Sequence, residues 1–281
     1  MGFFERLLKI DRRIIFTLIA IAIALPLFFN VSMYVETTPE VRGVFDAVDT
    51  LTAGSKVLIS FDYDPGSMPE LQPMAESFFR HCFERDLKVI VMGLWPQGPL
   101  QANWALDVIL NEPDIKAKNL QYGVDYVNLG YTAGNEVVIQ RMGSDIHAAF
   151  PTDYYGTPTD EITIMKGVRN FDNINFVYNL SAGYPGTMEW VQFAADRFRA
   201  TLGAGNTAVQ APLMYPYLGR RQLVGLLGGM KGAAEYEVLA NRPARGVRYM
   251  FSQGIAHAVV VFFVILGNVA FFATRKKRKE S

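Results

Sequence analysis

The stretch Lys56–Glu70, KVLISFDYDPGSMPE, decides how this chain folds. An apolar run, Lys56–Tyr63, ends in two acids one residue apart, Asp62 and Asp64, and a Pro-Gly turn follows at once. The run has the length and side chains of a buried strand. SMPE reads as a capping box, in which the Ser67 hydroxyl accepts from the Glu70 amide and Pro69 sits in the first helical turn. Beyond it, Leu71, Met74, Ala75, Phe78, Phe79, Cys82 and Phe83 recur at helical spacing through Pro69–Arg85. They form one apolar face. Cys82, the only cysteine, lies on that face and is expected to be an inert core thiol. His81, beside the face, is expected at the surface. A strand that turns tightly into an amphipathic helix is the first unit of a parallel sheet.

The unit repeats along the chain. Strands are expected at Lys88–Trp95, Val124–Tyr131, Ile174–Ala182 and Asn206–Met214, giving five with the first. Helices are expected from Pro39, then at Pro69–Arg85, Pro99–Ile115, Asn135–Ala149, Thr187–Ala200 and Arg221–Ala240. Repeated strand-helix alternation predicts an α/β, Rossmann-like, doubly wound and mainly parallel five-stranded sheet. The segment Pro151–Asn173, rich in turn residues and carrying Tyr154 and Tyr155, reads as a long loop with one helical turn after Thr159. Long loops of this kind are often functional.

Composition places the domain. The 281 residues carry 27 basic and 27 acidic side chains, so no net field draws the protein to a polyanion, and nucleic acid is not an expected partner. Half the residues are apolar. The ends account for much of this: residues 14–35 and 249–274 contain no charged side chain, and each run is long enough to cross about 30 Å of hydrocarbon. No small-x-small cleavage site follows the first run, which therefore reads as an uncleaved anchor kinked at Pro26. Basic residues flank the outer side of each run: Arg6, Lys9, Arg12 and Arg13 before the first, Arg275–Lys279 after the second. The positive-inside rule then predicts a cytoplasmic flank at 1–13, two spans, an extracytoplasmic domain at 36–248 and a cytoplasmic tail at 275–281. The lipid bilayer is accordingly an expected partner. With one cysteine there is no intrachain disulfide, and the domain must be held by its core.

Ligands of open parallel sheets bind beyond the carboxyl ends of the strands. Asp62, Asp64, Trp95, Gln97, Tyr131, Asn135, Ser181, Tyr184, Met214, Tyr215 and Tyr217 are expected along that edge. The set is aromatic and amide-rich, with only the two acids for proton transfer. An Asp-x-Asp after a first strand invites comparison with haloacid-dehalogenase phosphatases. DYDPGS lacks that family's Asp-x-Asp-Gly-Thr, and no paired acids end a later strand. Capping of loop amides is the simpler role for both acids. DPGSMPE has one glycine where a dinucleotide fingerprint needs three, no Walker lysine occurs, and His81, His147 and His257 are isolated. No cofactor and no metal site are therefore expected.

Two features remain. His257 falls inside the second apolar run, where an ionisable side chain faces another helix or water. In QLVGLLGGMKGAAEYEVLA, Gly225, Gly228, Gly229 and Gly232 form overlapping small-xxx-small pairs. Read as one helix, these glycines predict very close backbone packing, against the domain's own sheet or a second protomer. The whole reads as a membrane-anchored scaffold, sensor or accessory domain that acts by assembly with itself or with other membrane proteins. The alternatives are a hydrolase or transferase using Asp62 and Asp64, and a small-ligand receptor at the strand edge.

Overall fold

The computed structural model describes residues 10–27, 35–220 and 222–279. The chain divides into Val35–Gly246 and a second unit made of the terminal segments. Within the first unit the order is α2 (Pro39–Asp49), β1 (Lys56–Asp62), α3 (Met68–Glu84), β2 (Lys88–Gly93), α4 (Gly98–Leu110), β3 (Tyr126–Tyr131) and α5 (Glu136–Met142). There follow β4 (Phe176–Ser181), the short α6 (Thr187–Trp190), β5 (Leu202–Asn206), α7 (Ala211–Gly219), β6 (Gly225–Gly228) and α8 (Gly229–Leu239). The terminal helices are α1 (Arg12–Leu27) and α9 (Arg245–Lys279), the latter starting at the end of the first unit.

The sheet has six strands, all parallel, in the order β3-β2-β1-β4-β5-β6. This is the doubly wound, Rossmann-like order, and its switch point lies between β1 and β4. One face packs on α2, α3, α4 and α8, where Phe78 stacks on Tyr178 with ring centroids 4.1 Å apart. Trp190, Ile139, Met142, Met165 and Phe171 belong to the core on the other face. Both faces are covered, which is why the inner strands read as unbroken apolar runs.

The expected count of five strands is corrected by β6, which lies inside the segment read as a glycine helix. Gly225-Leu-Leu-Gly228 is extended, and Gly229 turns the chain at φ +58° into α8. The fifth strand is also displaced: it is Leu202–Asn206, while Ala211–Gly219 is helical. Glycines hid both strands, because LGAGN and GLLG lack the β-branched side chains by which strands are recognised.

Pro151–Asn173 is a long loop with a helical turn after Thr159, and it is packed onto the domain. Ile162, Ile164, Met165, Val168 and Phe171 are buried in the second core, and the Tyr154 amide donates to the Asn128 carbonyl at 2.8 Å. Its helical turns are Thr163–Met165 and Phe171–Asn173. His81 is not at the surface: it is buried, with Nδ1 2.8 Å from the Tyr236 hydroxyl. Burial, partly countered by Asp49, lowers its pKa. Cys82 is buried as expected, and burial pushes its thiol pKa up.

Among the described residues one helix is long and apolar enough to cross a membrane: Arg245–Thr274, with mean hydropathy 2.4. His257 lies within it. At 16 residues, α1 rises only about 24 Å. Residues 28–34, the remainder of the expected first span apart from Val35, lie outside the described residues.

Candidate functional site

At the carboxyl end of β1, Asp62 is fully buried. Four groups from four parts of the chain converge on its carboxylate. The Leu94 amide donates at 2.7 Å to Oδ1, Asn179 Nδ2 at 2.6 Å and Trp190 Nε1 at 3.0 Å to Oδ2, and the Ser60 hydroxyl lies 2.8 and 2.9 Å from the two oxygens. Burial pushes its pKa up to about 7, against the downward pull of these donors. Asp62 thus ties β1 to the end of β2, to β4 and to α6. It has no open face from which to attack a substrate.

Asp64 does what a loop acid does. It is partly exposed, and its Oδ1 accepts from the Ser67 amide at 3.2 Å, capping the turn Pro65–Ser67. The capping box expected from SMPE does not form: Ser67 makes no side-chain cap bond. Glu70 instead accepts from the Ala208 amide at 2.7 Å, reaching across to the segment after β5. Asp62 and Asp64 do not converge with other acids, and the described residues contain no group of three or more His, Cys, Asp or Glu placed to hold a metal ion.

The crevice where an open α/β sheet receives its ligand is filled by the chain itself. Trp95 Nε1 donates to the Pro185 carbonyl at 2.8 Å, joining the loop after β2 to the loop after β4. A Cβ on Gly98 would stand 1.9 Å from the Phe61 carbonyl oxygen, and one on Gly186 would stand 1.9 Å from Ser181 Oγ. Only glycine permits these approaches. Ser181 is buried with its hydroxyl donating to the Gly183 carbonyl at 3.1 Å, and the Tyr184 hydroxyl donates to Glu136 at 2.9 Å, next to Asn135 at the start of α5.

Between the ends of β4 and β5 a cavity of about 200 Å³ remains, lined by Ser181, Tyr184, Thr187, Asn206, Gln210 and Met214 among others. Its polar walls largely satisfy one another: Thr187 Oγ1 donates to Asn179 Oδ1 at 2.6 Å and accepts from Asn206 Nδ2 at 3.0 Å. Of the expected edge residues, the structure brings Trp95, Ser181, Tyr184 and Met214 to this region. Gln97 and Tyr131 are exposed. Tyr215 and Tyr217 lie on α7 instead of the strand edge, Tyr217 packed on the second core and Tyr215 lining a separate groove. Asn206 and Gln210 were not expected at this edge because the fifth strand, read as Asn206–Met214, ends at Asn206, and Thr187, at the start of the expected helix after β4, carried no signal of its own.

The four glycines make their close contacts within the domain. A Cβ on Gly225 would meet the Glu40 carbonyl oxygen and the Val44 nitrogen of α2 at 2.4 Å, and one on Gly232 would meet the Leu227 backbone at 2.8 Å. Gly228 and Gly229 abut Ala211 and Ala208, at 3.0 and 2.9 Å. The segment expected as a single helix is a strand, Gly225–Gly228, turning at Gly229 into α8.

A second constellation was not foreseen. On α8, Glu235 and Glu237 are both buried, 2% and 1% exposed. Glu235 Oε2 accepts from the Thr38 amide and hydroxyl, both at 2.6 Å, and its other oxygen takes Lys231. Glu237 accepts from the Ala244 amide at 2.8 Å and the Gly246 amide at 2.7 Å. One carboxylate holds the segment by which the chain comes into the domain; the other holds the segment by which it leaves. Beside them Arg245 pairs with Glu76 at 2.9 Å, and Arg80 forks onto Glu112 at 2.7 and 2.5 Å. Burial pushes the Glu76 pKa up to about 7, although Arg245 and Arg80 draw it down.

No family model, curated protein or solved structure matches this chain. The fold and the geometry above define its class: a Rossmann-like α/β domain continuous with an apolar helix.

Proposed function

We propose that the protein is a two-pass membrane protein whose Rossmann-like domain is a scaffold, sensor or accessory module outside the cytoplasm, acting by assembly and not by catalysis. The observation that carries this reading is the clasp on α8. Glu235 and Glu237 are buried carboxylates whose burial is offset by hydrogen bonds to the incoming and outgoing segments, so both ends of the domain are held by its last helix. Ends held close to one helix suit a domain tethered on both sides to one bilayer. The commitment of all Asp62 valences to the fold weighs against the hydrolase or transferase reading. The cavity between β4 and β5 favours a second reading, a receptor for a small polar ligand.

The test is topology and mass together. In intact cells a cysteine at Ser281 is expected to resist an impermeant thiol reagent while one at Tyr155, 66% exposed, reacts; the native Cys82 is buried and silent. Light scattering of the detergent-solubilised protein is expected to give more than one chain per particle. Labelling at Ser281 in unbroken cells overturns the orientation, and a single chain per particle purified under mild conditions overturns assembly.

A further inference from the structure

The cavity between the ends of β4 and β5, about 200 Å³, has room for roughly six water-sized groups. Three of its lining residues, Ser181, Thr187 and Asn206, are only 1%, 2% and 1% exposed, so its deep wall belongs to the core of the fold. It lies at the edge where open parallel sheets receive ligands.

Counting protons shows what that wall offers. Asn179 Nδ2 is fixed on Asp62 Oδ2 at 2.6 Å, so Asn179 Oδ1 is the atom that faces Thr187, and it takes the hydroxyl proton at 2.6 Å. A hydroxyl has one proton to give. The Thr187 oxygen is thereby left to accept, which it does from Asn206 Nδ2 at 3.0 Å. The same Nδ2 lies 3.4 Å from the Ser181 carbonyl, and this sets the amide's orientation, since its oxygen would be repelled there. Asn206 Oδ1, 3.2 Å from Thr187 Oγ1, then has no proton to accept from any described residue. The row of donors that begins at Asp62 ends on an unpartnered acceptor of the cavity wall. Buried acceptors are normally paired, so this one points to a ligand.

The rest of the wall has the same sign. Glu189 is half-buried; its Oε2 accepts from the Gly186 amide at 2.8 Å, and Oε1 has no partner among the described residues. No lysine, arginine or histidine lines the cavity, and Met188 and Met214 supply its apolar part. Acceptors and a negative charge, with no cation to meet an anion, select a ligand that brings donors and positive charge. Resting on the second reading above, of a receptor for a small polar ligand, we propose that this cavity binds a small primary ammonium ion. An ammonium has three donors and no acceptor. It hydrogen-bonds Asn206 Oδ1 and Glu189, and its short carbon chain lies against the two methionines, whose unbranched thioethers adapt to irregular contacts. The loop over the site is already fastened, by Trp95 on the Pro185 carbonyl and by Gly186 against Ser181, so binding costs little ordering.

The test uses the full isotope-labelled chain in zwitterionic detergent at pH 7, titrated with ethylamine, propylamine and butylamine, and with the alcohol and the carboxylate of each length. The Asn206 side-chain amide and the backbone amides of residues 187–189 report occupancy by their magnetic resonance shifts. At least one amine is expected to move them saturably at millimolar concentration, and its alcohol to bind several-fold more weakly. Glu189→Gln keeps the bond to Gly186 and removes the charge. It is expected to weaken the amine about tenfold, the worth of one charge-assisted contact, and to leave the alcohol unchanged. If an alcohol or a carboxylate moves these resonances as strongly as the amine, the ammonium proposal is overturned while the receptor reading stands. An amine response that Glu189→Gln leaves untouched also overturns the proposal, because the charge is then not what is recognised. If none of the compounds moves them, the receptor reading falls together with the proposal.

Discussion

The buried carboxylates at the centre of the sheet and those at its margin are built for different tasks. Among the described residues Asp62 accepts only from neutral donors, on or next to strands and a short helix. Glu235 and Glu237 face the backbone of segments that lead out of the domain, and Glu76 beside them faces the guanidinium of Arg245. The central acid joins parts of the fold that never separate. The marginal acids join the fold to whatever the chain ends are attached to. Acids at the end of a first strand draw attention as chemistry, yet here the informative acids are on the last helix of the domain.

The largest expected effect breaks the centre. Asp62→Leu keeps the forked shape and the number of side-chain heavy atoms, adds some volume, and strands the Leu94 amide, Asn179 Nδ2 and Trp190 Nε1 in the interior. Each unpaired buried donor costs about 1–3 kcal/mol, so with three of them a loss of at least about 3 kcal/mol is expected in chemical denaturation of the detergent-solubilised protein. A lost helix cap would cost only about 0.5–2 kcal/mol. A value in that lower range would show that Asp62 is a cap and not a joint.

Next comes the charge at the margin. The Glu76 pKa stands near 7 when folded and near about 4.3 in an unfolded chain. The folded state therefore holds the Glu76 proton more tightly. Its contribution to stability is full below the unfolded value and is lost as pH rises through 7. Asp62 titrates in the same window, so the parent alone cannot separate the two. In Glu76→Gln the Asp62 part remains and the Glu76 part is gone. Between pH 5 and pH 7 the variant is expected to lose less stability than the parent, by on the order of 2 kcal/mol. Thermal unfolding across that range measures it. Parallel pH curves for the two proteins would mean that Arg245 and Arg80 hold Glu76 ionised throughout, and that the margin carries no titrating group there.

The comparison also explains what the sequence could reveal. The first unit, KVLISFDYDPGSMPE with the helix after it, is legible because strand, turn and helical face are consecutive, and from it the doubly wound fold follows. Leu202–Asn206 and Gly225–Gly228 were obscured, because a strand of glycines carries no side-chain pattern. Their glycines answer to neighbours far along the chain: Gly225 to Glu40 and Val44, Gly203 to Phe176. Exposure at the strand edge was over-read for the same reason. Nothing local in Gly98 or Gly186 says that the loops close over the switch point. The clasp was illegible in principle, since Glu235 and Thr38 are 197 residues apart and either alone is an ordinary helical glutamate or an ordinary capping threonine.

The smallest effect sharpens the margin. Glu237 supplies both its oxygens to the first turn of α9, where the Ala244 and Gly246 amides have no partner within their own helix. The negative charge also opposes the positive end of that helix. Glu237→Gln keeps the shape, retains one accepting oxygen and removes the charge. One amide then loses its partner, for a cost of about 1–2 kcal/mol. Its position is more telling than its size. Because the clasp is not part of the sheet, hydrogen exchange is expected to quicken at Ala244 and Gly246 while the amides of β1 and β4 keep their protection. Asp62→Leu should instead quicken exchange across those central strands. If Glu237→Gln loosened β1 and β4 as much as residues 244–246, the margin and the centre would be one cooperative unit, and the division of labour between the two sets of acids would not hold.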